Sequence, residues 1–232
     1  MPPPLVDIFR QLVSHYGRPA APKVTDPFEM IIWENVAYLV DDAKRAEAFE
    51  KLRATVGLSP RSIAAAAHAD LEAAARLGGM FPAKRAERLR FSAELALSAF
   101  DGDLGRVLRL PPAAAKKALK RFPTIGDPGA EKILLFAGAA PVLALDSNAL
   151  RVLVRIGYCA EHKSYSATYR AAQSALAGQI GSDCAWLVEV HQLLRRHGRE
   201  LCRRNQPACR QCPLTAVCLH GQLATGAASW AS

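Results

Sequence analysis

The sequence predicts an all-α fold, and three observations carry that reading. Aromatic residues make up only 7% of the 232 residues while alanine is abundant, a balance that favours helices over sheets. No stretch shows sustained period-2 alternation. Helix start and stop signals follow one another along the chain. Half of the residues are hydrophobic, enough for one large or two small domains with real cores.

The elements follow in order. Leu5, Ile8, Phe9, Leu12 and Val13 share one helical face. Asp26-Pro27-Phe28-Glu29 is a helix start, with Asp at the N-cap, Pro at the first position and Glu at the third. The helix it opens, FEMIIWENVAYLV, is nearly all apolar and should be buried, with Glu34 in its middle. Residues 42–55 read as a charged amphipathic helix. Ser59-Pro60 opens IAAAAHADLEAAARL, which Gly78-Gly79 closes. Pro82 opens a basic helix, AKRAERLRFSAELALSAF. Residues 112–121 and 128–136 read as short helices joined by F-P-T-I-G-D. Asp146 begins SNALRVLVRIG, and AWLVEVHQLLRRHGRELC follows later. Residues 219–232 read as a flexible, frayed tail. Cys159 and Cys184 stand apart and read as small buried hydrophobes.

The last long helix feeds four cysteines, Cys202, Cys209, Cys212 and Cys218, in a C-x6-C-x2-C-x5-C run. Pro207 and Pro213 turn the chain between them, so four thiolates can converge on one soft metal centre. Tetrahedral zinc and a [4Fe–4S] cube both accept four thiolates. The spacing is neither that of a zinc ribbon nor the C-x2-C-x2-C-x3-C ferredoxin run. Disulfides are the other use of clustered cysteines, but nothing else marks a secreted chain. The N-terminus MPPPLVDIFRQL lacks the layout of a signal peptide, and no apolar run reaches membrane-spanning length. The expectation is a reduced, cytoplasmic protein without a membrane partner.

Thirty Lys+Arg against 21 Asp+Glu give a formal charge of +9 and a pI near 9.5, which suits a polyanionic partner, most simply nucleic acid. A helix–hairpin–helix fits that partner. Between the helices at 112–121 and 128–136 lies Phe122-Pro123-Thr124-Ile125-Gly126. Gly126 can take a positive φ and expose amides at the next helix start, where Thr124, Gly126 and Gly129 could hold a DNA phosphate. Lys116, Lys117, Lys120 and Arg121 stand just upstream as counter-charge. An ordinary helical corner would carry the same P-x-x-G turn.

Taken together, the hairpin, L-D-S-N-A-L-R at 145–151, H-Q-L-L-R-R-H-G-R-E-L-C at 191–202 and the cysteine run resemble the endonuclease III family of helix–hairpin–helix DNA glycosylases. The cysteine spacing matches that family's [4Fe–4S] loop without a gap. D-P-F-E-M-I-I at 26–32 is similar to its early core helix, and Asp42 matches an aspartate in its next turn. The resemblance covers about residues 5–218. It implies two interlaced helical domains with double-stranded DNA bound across the cleft. One is a six-helix barrel over 26–140, holding the hairpin at about 112–136. The other is an iron–sulfur cluster domain built from 1–25 and 141–218. It further implies a nucleoid-associated monomer that excises bases, with Asp146 as the catalytic carboxylate and Arg203 and Arg204, with Arg210, presenting charge to phosphates. His191, His197 and Arg199 recur in the family's approach to the cluster and read as supports. An Asp opening a helix is also an ordinary N-cap, and Asp146 can serve as both.

The chain departs from the family in two places. Bifunctional members carry a nucleophilic lysine two residues after the final hairpin glycine. Here that position is Pro128, which cannot attack the sugar. The reading is a monofunctional glycosylase in which water attacks. Lys132, one turn further on, is a phosphate contact or, in an alternative bifunctional enzyme, a substitute nucleophile. A non-catalytic lesion-sensing module is the other alternative, but it would not need Asp146. The second departure is Glu34, which falls where related adenine glycosylases carry the glutamate that protonates the leaving base. An apolar pocket would favour that acid role. A structural ion pair with an arginine is the competing role. Tyr38 and Trp33 are the base-pocket candidates. Lys84, Arg85, Arg88 and Arg90 could meet the DNA backbone or form a solvated basic face.

Overall fold

The structure, a computed structural model, describes residues 2–226. Among them it is all-helical. No strand occurs, and Tyr38 and Gly79 form one isolated parallel bridge. The chain divides into two compact units, one formed by Met1–Ala21 with Pro141–Ser232 and the other by Pro22–Ala140. The helices are α1 (Leu5–Tyr16), α2 (Pro27–Asn35), α3 (Asp42–Thr55), α4 (Pro60–Ala65), α5 (His68–Leu77), α6 (Pro82–Phe100), α7 (Gly105–Leu108), α8 (Pro112–Leu119), α9 (Asp127–Phe136), α10 (Ser147–Ile156), α11 (Tyr165–Leu176), α12 (Cys184–Glu200) and α13 (Leu219–Thr225).

In the central unit, Asp26 caps α2 by accepting from the Phe28 and Glu29 amides at 2.9 Å. The helix ends at Asn35, well before the apolar run does. The Tyr38 amide instead donates to the Gly78 carbonyl at 2.9 Å, and Leu39 adopts a left-handed φ of 56°. The side chain that organises this departure is Arg85, in the first turn of α6. Only 1% of Arg85 is exposed. Its guanidinium donates to the carbonyls of Met80, Val36 and Gly79 at 2.7, 2.5 and 2.6 Å. Three backbone acceptors from two loops thereby lose their need for water or for a helical partner. Gly78 is required at this junction, because a Cβ there would lie 2.2 Å from the Val36 oxygen.

Arg90 explains a second difference. The alanine-rich segment read as one helix is two, α4 and α5, broken at Ala66 and Ala67. Arg90 receives the carbonyls freed at the break, donating to Ala64 O at 3.1 Å and Ala66 O at 2.6 Å. Of the four basic residues at the start of α6, Arg85 and Arg90 are thus committed inside the chain, while Lys84 is exposed. Phe49, Leu52, Ile63, Leu71 and Leu89, all fully buried, fill the core of this unit.

In the terminal unit, α1 packs on α12 and buries Leu5, Ile8, Phe9 and Leu12; Val13 is half-buried. Burial of each such side chain contributes about 1.5–3 kcal/mol. Helix α11, capped by Ser164 on the Ala167 amide, was not anticipated from periodicity. The segment expected as a frayed tail begins with α13; residues 227–232 lie outside the described part. Cys159 and Cys184 are half-buried rather than buried.

Candidate functional site

In the terminal unit the site grows from the start of α10. Asp146 is its N-cap. One carboxylate oxygen accepts from the Asn148 and Ala149 amides at 2.9 and 2.7 Å. The other accepts from Asn148 Nδ2 at 3.0 Å and lies 3.4 Å from Arg195 Nε. The side chain keeps 31% of its surface exposed. It is an anion fixed at the positive end of a helix yet open on one side. The D-S-N-A-L-R motif then continues as a hydrogen-bonded line. Arg151 Nη2 donates to Asn148 Oδ1 at 2.8 Å and to Gly198 O at 2.7 Å, and its Nε donates to Cys202 O at 2.9 Å. Helix α12 can approach this closely only because residue 198 is glycine: a Cβ would stand 2.6 Å from the Asn148 oxygen.

Arg155, one turn beyond Arg151, extends the line into the cysteine loop. It donates to Arg203 O at 2.8 Å and Arg204 O at 3.1 Å, and approaches Cys202 Sγ at 3.4 Å. Sequence reasoning missed Arg155 and Gly198. The signals were the i,i+4 spacing from Arg151, which puts both guanidiniums on one face, and the glycine inside a long helix.

All four cysteines are unoxidised and border one apolar hollow, with Val152, Ile156, His197, Leu201, Pro207 and Leu214 among its walls. Among the described residues, no three His, Cys, Asp or Glu side chains are drawn together as a site for a single ion. Zinc would require all four sulfurs at about 2.3 Å from one point. A cube takes its thiolates at separate corners, and four cysteines lining one hollow are the donor set that either centre would use. His197 stands 3.5 Å from Cys212 Sγ through Nε2 and 3.1 Å from the Tyr16 hydroxyl through Nδ1. Burial pushes the His197 imidazole down to about 4. Burial, with Glu200 nearby, pushes the Tyr16 phenol up to about 12. His191 supports the entry to α10 by bonding Ala144 O at 2.7 Å. Arg203, Arg204 and Arg210 are exposed on the loop.

In the central unit, α8 and α9 form the hairpin, with a difference from expectation. Gly126 is extended, at φ −91°; the left-handed residue is Thr124, at φ 65°. A buried side chain holds it there. Asn35, 1% exposed, donates to Pro123 O at 3.0 Å and to Ile31 O at 2.9 Å, and accepts from the Thr124 hydroxyl at 3.2 Å. Asn35→Ala should cost about 1–3 kcal/mol, the penalty of leaving buried carbonyls unpaired, read as a lower midpoint in urea. An unchanged midpoint would mean that water replaces the amide.

The hairpin lysines are also partly committed. Lys120 pairs with Asp127 at 2.8 Å, and Lys116 pairs with Glu131 at 2.5 Å and Asp127 at 3.3 Å. The hydrogen bond from Lys120 leads the effects that hold the Asp127 carboxyl below its usual range. The helix start that would receive a phosphate therefore already carries an anion, neutralised by the two lysines. Gly129 lies in the first turn of α9, where amides have no intrahelical acceptor.

Glu34 and Lys132, assigned separate roles from sequence, meet at 2.8 Å, and Arg45 stands 3.9 Å from the same carboxylate. Glu34 is 32% exposed, not enclosed in the apolar pocket expected for a raised acid. Trp33 packs edge-on against Phe49 with ring centroids 5.2 Å apart. Tyr38 lies outside the helix, 47% exposed, with its ring 6.4 Å from that of Phe81.

Comparison with known proteins adds to this geometry. No protein-family model matches the chain. Over 212 residues, 91% of each chain, it is 25% identical to endonuclease III of Thermotoga maritima. It is also similar to a solved endonuclease III–DNA covalent intermediate, with a TM-score of 0.75 at 20% identity over 95% of this chain and 98% of that one. The chain is thus similar, along most of its length, to endonuclease III. Endonuclease III of Rickettsia conorii matches at 31% identity over 102 residues, and the chain spans less than half the length of that relative (45%). The likeness to the solved structure shows a shared, all-helical fold. Among the described residues, no helix is long and apolar enough to cross a membrane.

Proposed function

We propose that the chain is a monofunctional DNA glycosylase of base-excision repair, acting on a damaged or mispaired base flipped from duplex DNA. One observation carries this reading: Asp146 is a fixed, half-exposed carboxylate at the start of α10, tied through Asn148 and Arg151 to the cysteine loop. Cleavage of an N-glycosidic bond builds positive charge on the sugar. A carboxylate already held by three donors stabilises that charge without reorganising, and it can orient the attacking water. Extrusion of the base takes it out of the stack and into reach of such a group. The names of the relatives, endonuclease III above all, support the activity. The deciding experiment is single-turnover base release from a panel of duplexes carrying uracil, thymine glycol, hypoxanthine, adenine opposite 8-oxoguanine, or alkylated bases. No release from any of them, with tight duplex binding, would favour a lesion-sensing module.

Water is the attacking group in this reading. Pro128 occupies the position that the resemblance gives to the lysine nucleophile, and Lys132 is held against Glu34. In that ion pair the amine is engaged by a carboxylate rather than held ready to attack a sugar. The product should be an intact abasic strand that breaks only in hot alkali. Borohydride trapping of a protein–DNA adduct as fast as base release would overturn this, and loss of the adduct in Lys132→Ala would then name the amine. Within the same reading, the amide of Gly129 and the exposed Arg203 and Arg204 side chains hold phosphates, while Thr124 and Gly126 shape the turn. Glu34 holds Lys132 rather than protonating the base, and Tyr38, more exposed than Trp33, is the ring free to meet an extruded base.

Cys202, Cys209, Cys212 and Cys218 would hold a [4Fe–4S] cluster, whose part would be to cross-link the loop rather than to act on DNA. Anaerobically purified protein should contain about four iron atoms per chain if the cube is present. One zinc and no iron would refute it.

A further inference from the structure

The Tyr16–His197–Cys212 contact has a directionality that the proposed glycosylase does not use. His197 Nε2 faces Cys212 Sγ at 3.5 Å, while Nδ1 faces the Tyr16 hydroxyl at 3.1 Å. What each contact can be depends on which ring nitrogen carries a proton. With the proton on Nδ1, the ring donates to the tyrosine oxygen and turns a lone pair towards sulfur. A metal-bound thiolate has no proton to share with that lone pair. Only the other arrangement is compatible with a loaded site: Tyr16 donates to Nδ1, and Nε2–H donates to the sulfur. The surroundings hold this geometry. His197 is 1% exposed, and the Arg196 guanidinium lies over the Tyr16 ring at 4.6 Å. Cys212 also receives the Leu214 amide at 3.4 Å.

Resting on the iron–sulfur reading above, we propose that Tyr16 and His197 are positioning residues that set the reduction potential of the cluster through Cys212. Each hydrogen bond to a ligating sulfur withdraws electron density from it and makes the iron easier to reduce. Tyr16 acts at one remove, by fixing which imidazole nitrogen carries the proton. The line starts at α1, so the N-terminal helix takes part in the electronics of a loop almost two hundred residues away in sequence.

The test is the midpoint potential of the cluster in the purified full chain, with iron content measured on the same samples. Tyr16→Phe keeps the ring under Arg196 and removes only the donor. His197→Phe removes the whole line. Both midpoints should move to more negative values at unchanged iron content, further for His197→Phe. The control is Tyr158→Phe, which deletes another buried hydroxyl of the same unit, bonded to Pro3 O at 2.6 Å; its midpoint should match the unaltered chain. A Tyr16→Phe midpoint that is unchanged, or that moves no further than the control, would overturn the proposal while leaving the cluster in place. Absence of iron from the unaltered chain would overturn both it and the cofactor reading.

Discussion

Exchange of Asp146 for asparagine should lower single-turnover base release by about 10²–10³-fold, the scale of removing one preorganised electrostatic partner, while duplex binding persists. The geometry explains why the two effects separate. The carboxylate oxygen that caps α10 accepts from two backbone amides, and an asparagine oxygen can take the same bonds. The second oxygen faces the Asn148 amide and the Arg195 guanidinium, both donors. An asparagine NH2 there meets donors instead of pairing with them, so the line to Arg151 weakens by about 1–2 kcal/mol. The variant should therefore stay folded with a somewhat lower midpoint. Its lost charge should appear almost entirely in the chemical step, read as base release under enzyme excess beside fluorescence anisotropy of the bound duplex. A rate within a factor of ~3 of the unaltered chain, well inside the range expected for a lost charge, would move the role to another carboxylate, with Glu34 the first to test.

Replacement of Arg85 should be the most destabilising single change in the central unit. Methionine fills much of the volume but leaves the carbonyls of Val36, Gly79 and Met80 without their donor. At about 1–3 kcal/mol for each unpaired buried acceptor, partly relieved by water, the loss is of order 3–5 kcal/mol. That is a large share of a typical stability of 5–15 kcal/mol and corresponds to a fall in Tm of roughly 10 °C. Burial, with Arg45 and Arg88 nearby, already pulls the Arg85 guanidinium below its usual range, so the native state bears a desolvation cost to keep this charge. Arg85→Lys should recover little, because one ammonium cannot reproduce a fork that serves three carbonyls. A Tm change of under ~2 °C for Arg85→Met, less than about 1 kcal/mol for a chain of this size, would show that solvent can replace the guanidinium.

Most of the helices were legible because their causes are local. Asp26, Pro27, Ser59, Pro82 and Asp146 stop or start helices through their own side chains and rings, and α3, α6, α10 and α12 begin within a residue or two of those expected. The surprises came where a distant side chain outcompetes a local preference. The apolar run after Glu34 has helical propensity, yet Arg85 takes the Val36 carbonyl and the chain turns. The alanine-rich segment has still more, yet Arg90 claims Ala64 and Ala66. Gly126 looked like the residue made for a positive φ, but Asn35 clamps the turn so that Thr124 adopts it instead.

The same division holds for the candidate site. By itself, the sequence determined the helical class, the four-cysteine loop, the hairpin and the aspartate that opens α10, because each is written in the type and spacing of residues within one segment. Only the tertiary structure decided what those residues are bonded to. It set Glu34 on Lys132, bound two hairpin lysines to Asp127, and joined Asp146 to the cysteine loop through Asn148 and Arg151. Hydrogen bonds and ion pairs reach only about 3–4 Å. Which groups come that close depends on how the helices pack against one another, and spacing along one segment does not encode that packing.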